Sequence, residues 1–187
     1  MRLASFDIFD TTLLRRCGKP EAVWQILGKR LYPNDHDLCE AFVAWRRRAK
    51  GETLNEIYAN LDSAFPAFAE KSVEEMMMAE EAVEEEMLTP YPSVCELIEQ
   101  RRKDGYRIAF ISDMYLNSKF LRQVLEHCGC SQAEDHIFVS CEHGARKDTG
   151  RLYDVVRKQL HPKEWIHYGD NKRSDIKMAR RKGIRAV

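Results

Sequence analysis

The feature that most constrains this chain is a change of rhythm at Tyr106. From there on, short β-rich runs alternate with helical patterns: RIAFIS, a helix over Lys119–His127, HIFVS, a helix over Leu152–Leu160, WIHYGD, a helix over Asp175–Lys182, and IRAV. Strands alternating with helices of that length predict a parallel sheet, because parallel neighbours need crossovers, and those crossovers are right-handed. One further apolar run, Leu3–Phe6, opens the chain and ends on Asp7. Between it and Tyr106 the pattern is helical. Pro20 stands at a first helical position before AVWQILGKRL, and Asn34 or Asp35 can cap DLCEAFVAWRRRAK, with Leu38, Phe42 and Trp45 on one face. Thr53 starts LNEIYANL, and Ser72 with Glu75 has capping-box spacing ahead of MMMAEEAVEEEML. From Arg15 to Asp104 no convincing strand is expected. The opening strand joins the sheet only if this helical block leaves the sheet and returns. The expected architecture is therefore α/β: a Rossmann-like core with a parallel sheet over residues 1–14 and 105–187, and an inserted α-helical cap over residues 15–104. The chain ends inside or just after its last strand, as an excised domain would.

Composition removes several classes. A chain of 187 residues favours one domain, with a small inserted module at most, and 44% apolar residues suffice for a core. Lys+Arg and Asp+Glu both number 30, so the basic excess of a dedicated nucleic-acid binder is missing. The longest stretch free of Asp, Glu, Lys and Arg is Met87–Cys95, far short of the roughly 18 apolar residues a membrane span needs. Asp7 lies where a signal peptide would place its apolar region, so the expected location is the cytoplasm. The six cysteines, at 17, 39, 95, 128, 130 and 141, then read as reduced thiols, mostly small hydrophobes. His127, Cys128, Cys130, Cys141 and His143 do not read as a zinc site. The helix ending at Cys128 should finish at one edge of the sheet and the strand before Cys141 at the other, roughly 15 Å apart at about 3.3 Å per strand residue.

In an open parallel sheet, ligands bind outside the carboxyl ends of the strands. Four strand ends deliver reactive groups there: Asp7 and Asp10; Ser112 and Asp113; Lys147 after a short loop; and Asp170 with Asp175. Carboxylates without surplus cationic partners suggest a hard divalent cation, and Mg²⁺ is typically held by one or two carboxylates plus phosphate oxygens. A lysine facing them can neutralise a phosphoryl group or a nucleophilic carboxylate.

These segments resemble the four motifs of the haloacid dehalogenase-like (HAD) superfamily, most of whose members are phosphatases. Phe6–Leu13 (FDIFDTTL) is similar to the first motif, Ile108–Met114 (IAFISDM) to the second, Arg146-Lys147 to the third and Gly169–Asp175 (GDNKRSD) to the fourth. Each is weak alone; all four in order, at strand ends and with a helical insert after the first, are specific. FDIFDT followed by LL-R and later ISDMYL resembles, more narrowly, a branch of HAD hydrolases often found near or fused to glycosyltransferases. The resemblance implies a C1-type cap and the following roles. Asp7 is the nucleophile that forms an aspartyl-phosphate. Asp7, the Phe9 carbonyl and Asp170 hold Mg²⁺, with Asp175 supporting the metal shell. Ser112 Oγ and the Asp113 N–H hold phosphate oxygens, Lys147 bridges Asp7 and the phosphoryl group, and Thr11 positions the first loop. The implied substrate is a small phosphorylated metabolite, a sugar phosphate if the association with a fused or neighbouring glycosyltransferase holds.

Phe9 departs from the family pattern, which has a second Asp there as general acid and base; such help contributes typically ~10²–10⁴-fold. Three readings follow. Asp10 takes over the proton work; or the substrate has a good leaving group; or the chemistry is that of metal-independent 2-haloacid dehalogenases, which carry a similar aromatic residue there. The acidic pair Asp170 and Asp175 favours the metal-dependent phosphohydrolase. A weakly active or non-catalytic module of a larger chain is the reading from another class. Asp10 reads equally as a carboxylate that structures its loop. Arg15 and Arg16 either reach a substrate's distal charge or start the cap as solvated residues. Arg46, Arg47 and Arg48 fan around a helix and read as a solvated face, Met76–Met78 as packing between cap helices, and Glu80–Glu86 as solvent-facing.

Overall fold

The computed structural model describes residues 1–59, 61, 68 and 70–187. It contains two compact units, Met1–Leu14 with Thr89–Val187, and Arg15–Leu88.

The first unit is built on a five-stranded sheet of β1 (Arg2–Phe6), β4 (Arg107–Ser112), β5 (His136–Val139), β6 (Glu164–Tyr168) and β7 (Arg185–Ala186). Their order across the sheet is β5-β4-β1-β6-β7. Every pairing is parallel: Leu3 lies opposite Arg107 and Trp165, Ala109 opposite His136, and His167 opposite Ala186. Parallel strands covered on both faces read as continuous apolar runs rather than alternating ones, and β4 is buried from Ile108 to Ser112. One face packs Leu3, Ala109, Ile111, Phe138 and Trp165 against Leu152, Tyr153 and Val156 of a helix over Arg151–Leu160. On the other face the rings of Phe6 and Tyr168 stack at 4.8 Å. Counted along the chain, this is the order 3-2-1-4-5, in which direction reverses between β1 and β6.

The boundary between units differs from the expected one at its second crossing. The helix Pro92–Lys103 packs on β4 and belongs to the first unit, so the insert ends at Leu88 rather than Asp104. Its sequence is helical and mostly polar, and it reads as a continuation of the helices before it. Tertiary contacts decide: Ile98 is fully buried, Arg101 Nε donates to Tyr168 Oη at 2.8 Å, and Arg102 grips Asp135 through two hydrogen bonds. Two short strands, β2 (Leu13–Arg15) and β3 (Leu88–Pro90), form a two-stranded sheet where the chain leaves and re-enters, the latter in a stretch expected to hold no strand.

The second unit contains the helices Pro20–Leu31, His36–Arg48, Leu54–Tyr58 and Val73–Met87. Pro20 opens the first, Asp35 caps the second at Leu38 N–H, Thr53 caps the third, and Ser72 with Glu75 closes both bonds of a capping box on the fourth. Asn60, in the expected LNEIYANL helix, lies outside the described residues. Gly28 lets the first two helices approach: a Cβ there would meet Val43 Cγ2 at 2.8 Å.

Three expectations for this unit are corrected. Arg46 is buried and clamps the fully buried Glu80 at 2.6 and 2.8 Å, its guanidinium 4.8 Å over the Trp24 ring, while Tyr58 Oη donates to the same carboxylate at 2.6 Å. Glu84, one turn on, is also buried and takes Arg15 at 3.2 and 3.3 Å. Arg15 is thus held in a buried ion pair within this unit rather than solvated at the start of the cap. Glu80 and Glu84 lie at helical i, i+4 spacing, so one face of an acidic helix turns inward and finds its two arginines. Met76 is buried and Met78 exposed, as consecutive helical positions require.

Candidate active site

The site assembles at the carboxyl edge of the sheet in the first unit, beside the switch point between β1 and β6. The chain leaves β1 in a tight loop. Thr12 and Leu13 N–H both donate to Ile8 O, at 2.9 and 2.8 Å, and Thr12 Oγ1 donates to Asp7 O at 2.6 Å. Asp10 occupies the left-handed region at φ 57°, which Asp tolerates better than most residues, and its N–H closes the loop on Leu13 O at 2.9 Å. This loop holds Asp7 almost fully buried with its side chain toward the strand ends.

Lys147 meets it there. The Lys147 ammonium lies 2.6 Å from Asp7 Oδ1 and 2.7 Å from Asp175 Oδ1, and the lysine is itself buried. A third carboxylate fixes its backbone: Asp113 Oδ1 accepts Lys147 N–H at 2.8 Å. Asp175, fully buried, also accepts from His167 Nε2 at 3.2 Å and from Asn171 N–H at 3.1 Å. Asn171 caps the π-helical turn Lys172–Met178 by accepting from Arg173 and Ser174 N–H, and that turn carries Asp175 back under the sheet edge. Only glycine fits at 169, where a Cβ would sit 2.5 Å from Asp175 Cγ. Asp170, exposed at the rim, is clamped by Thr11, whose hydroxyl donates to Asp170 Oδ1 at 3.3 Å and accepts Asp170 N–H at 3.2 Å.

Behind Asp175 runs a polar line that sequence reading missed. Trp165 Nε1 donates to Ser5 Oγ at 2.7 Å, and Ser5 Oγ lies 2.8 Å from His167 Nδ1. All three residues are buried. The carboxylate at one end accepts and the indole at the other only donates, so the consistent arrangement has Ser5 donating to Nδ1 and Nε2–H donating to Asp175. Burial lowers the His167 pKa and keeps the ring neutral. The available signal was a histidine two positions from a tryptophan in a strand otherwise apolar on that face.

Charge in the site is unbalanced. Burial pushes Asp7 up to about 6, with Asp175 adding to the rise and Lys147 opposing it. Burial also raises Asp175, but the His167 hydrogen bond and Lys147 outweigh it and hold it below the usual carboxylate range. One lysine faces two buried carboxylates, with Asp170 adding a third: carboxylate oxygens of Asp7, Asp170 and Asp175 all lie within 4.8 Å of one another. A set of oxygen donors with net negative charge fits a hard divalent cation. Asp7 and Asp170 would hold it. Asp175, already engaged by Lys147, His167 and Asn171, would position the others.

The predicted residues divide accordingly. Asp7, Thr11, Asp113, Lys147, Asp170 and Asp175 come together, Asp113 through its carboxylate on the Lys147 N–H. Ser112 is buried at the end of β4 and Phe9 half-buried. Asp10 is exposed, and the buried group forms without it.

A family model for haloacid dehalogenase-like hydrolases matches residues 1–183. The chain belongs to that family. HAD-like hydrolases of known structure share its fold. YfnB from Bacillus subtilis, a protein assigned as a HAD-hydrolase and bound to magnesium, superposes with a TM-score of 0.61 at 18% identity, covering 98% of this chain and 86% of that one. A protein assigned as a beta-phosphoglucomutase from Thermotoga maritima gives 0.64 at 16% identity, covering 98% and 82%. The L-2-haloacid dehalogenase from Xanthobacter autotrophicus gives 0.60 at 14%, covering 98% and 75%. At these identities the likeness is one of fold. No curated protein matches the chain in sequence. No helix among the described residues is long and apolar enough to cross a membrane.

Proposed function

We propose that this HAD-like hydrolase is a Mg²⁺-dependent phosphohydrolase acting on a small phosphorylated metabolite through an aspartyl-phosphate at Asp7. The observation that carries the reading is the approach of Asp7, Asp170 and Asp175 to within 4.8 Å of one another around a single lysine. Asp7 attacks phosphorus and the leaving alkoxide or phenolate departs; water then cleaves the acyl phosphate and frees Asp7. Lys147 holds the Asp7 carboxylate charged and oriented, and as phosphoryl oxygens gain charge its ammonium is within reach of them. Bound Mg²⁺ would neutralise charge shared by Asp7, Asp170 and the phosphoryl group. Ser112 Oγ and Asp113 N–H supply donors for the same oxygens. Asp10, at the loop tip, serves as the proton carrier that Phe9 cannot be. A sugar phosphate is the substrate class proposed, with a fused or neighbouring glycosyltransferase as the partner.

The test is a panel of phosphate esters with and without Mg²⁺. An aryl phosphate has a good leaving group, so its turnover tolerates the absence of the usual general acid; Mg²⁺-dependent hydrolysis lost in Asp7→Asn supports the reading. Phe9 favours one rival, a dehalogenase-like ester formed at Asp7 without metal. Turnover of 2-haloacids unaffected by a chelator, with no phosphatase activity, would establish that rival instead.

A further inference from the structure

The amino edge of the sheet, at the opposite end of the strands from Asp7, holds a cavity of about 450 Å³ where β4 and β5 begin. Arg107 and His136 line it, together with Gln132, Glu134 and Asp135 of the loop before β5 and Arg102 of the helix Pro92–Lys103. Ala109 lies opposite His136, so Arg107, two residues earlier on β4, stands on the same face of the sheet as His136. The loop is firmly tied. Arg102 takes both oxygens of the buried Asp135 at 2.8 and 2.5 Å, Arg122 Nη2 donates to the Asp135 carbonyl at 2.8 Å, and Gln132 N–H donates to Asp135 Oδ2 at 2.8 Å. Those bonds occupy Arg102 and Asp135. The side chains of Arg107 and His136, in contrast, make no hydrogen bond or ion pair with any described residue. Burial, then Arg107, then Arg122 on the helix Ser118–His127 push the His136 pKa down, with Asp135 opposing them. The cavity thus presents a guanidinium beside an imidazole that it keeps uncharged, a repulsion that an anion between them would relieve.

We propose that this cavity binds the phosphate group of a small hydroxylated metabolite, received by Arg107 and His136. Charge favours phosphate over carboxylate. A phosphate monoester carries about −1.5 to −2 at neutral pH, and Arg107 with a protonated His136 supplies two positive charges. A monocarboxylate is balanced by Arg107 alone. The planar fork of an arginine also fits two phosphate oxygens at once, and a charged imidazole adds a donor to the same group. The cavity has room for more than the phosphate, within the ~300–1,000 Å³ usual for small-molecule sites. The side chains of Gln132 and Glu134 bring a free amide and a free carboxylate to it, so its remaining partners suit hydroxyl groups rather than an apolar skeleton. Glu134 also opposes a bare anion, which limits affinity for phosphate alone. None of these residues belongs to the site at Asp7, and the proposal stands independently of the reaction there.

The experiment follows the histidine ring signals of the full chain by NMR across pH, in EDTA and at constant ionic strength, as inorganic phosphate is added; His136→Asn assigns the signal. Saturating phosphate should raise the His136 pKa by about one unit, while His36 and His161, both exposed, stay where they are. Acetate at the same concentrations should leave His136 unmoved. Arg107→Gln should raise the His136 pKa before any phosphate is added, because a repelling charge has gone, and should abolish the response. Glu134→Gln should lower the phosphate concentration at half-response about threefold. Asp7→Asn should respond like the parent. A His136 pKa that phosphate does not move, an equal shift with acetate, a full response kept in Arg107→Gln, or a response lost in Asp7→Asn would each overturn the proposal.

Discussion

At Asp7 two demands meet in one carboxylate: it must be buried to react away from water, and charged to react at all. Burial and the neighbouring Asp175 raise its pKa to about 6, above the ~3.9 of an unfolded aspartate. The folded state therefore binds this proton more tightly than the unfolded one. Between about pH 4 and 6 the unfolded chain releases the proton first, so this group makes stability fall as pH rises through that window. Asp7→Asn removes the buried charge. In EDTA at pH 7 the variant should be more stable than the parent by about 1–3 kcal/mol, and the difference should shrink toward pH 4, as read by thermal melts. The same variant should have no phosphatase activity. A parent more stable than the variant at pH 7 would show that Asp7 is not the strained group described here. Activity follows the opposite course to stability: kcat/KM for an aryl phosphate should rise with pH to a plateau, with the midpoint of the rise no higher than about pH 6, as the nucleophile ionises.

Among the elements, the register of β1 against β6 matters most. Ser5 lies directly opposite His167 and Leu3 opposite Trp165, so the line from indole to Asp175 exists only in this register. A slip of one residue would turn Ser5 and His167 to opposite faces. His167→Phe keeps the volume and removes the donor to Asp175. The Mg²⁺ concentration for half-maximal activity should rise by 10- to 100-fold, on the order found when groups that orient metal ligands are removed; an unchanged requirement would mean that Lys147 and Asn171 suffice to place Asp175. In the second unit, the matching element is the helix Val73–Met87. Arg46→Ala leaves the fully buried Glu80 with Tyr58 but without its guanidinium, and urea melts should show a loss of about 3–5 kcal/mol. Arg46→Met combined with Glu80→Leu should recover most of that loss, since apolar side chains of similar volume replace a buried ion pair at little cost.

The whole molecule draws its site from distant parts of the chain: Asp7 and Thr11, then Asp113, then Lys147, then His167 to Asp175. A parallel sheet brings them together because every strand ends at the same edge, and the reversal beside β1 opens the crevice there. A ligand that binds only this assembled state must stabilise it. Mg²⁺ at a hundred times its dissociation constant adds ~2.7 kcal/mol, which for a chain of this size is a rise of several degrees in Tm. Scanning calorimetry should show that rise in the parent and lose it in Asp170→Asn, which removes the rim carboxylate. The fold was legible because alternation of strand and helix, caps and strand-end carboxylates are local patterns, and local patterns survive in a sequence. Asp7, Lys147, Asp170 and Asp175 were legible for the same reason, each closing a recognisable segment. What sequence leaves open is which face of a polar helix turns inward and what it meets there. Glu80, Glu84 and Arg46 read as solvated because charge ordinarily avoids burial, and Arg15 as either solvated or substrate-binding; only tertiary packing supplies each with its partner. The helix Pro92–Lys103 joined the sheet, and His167 joined Ser5, through contacts between residues far apart in the chain, where no local spacing records them.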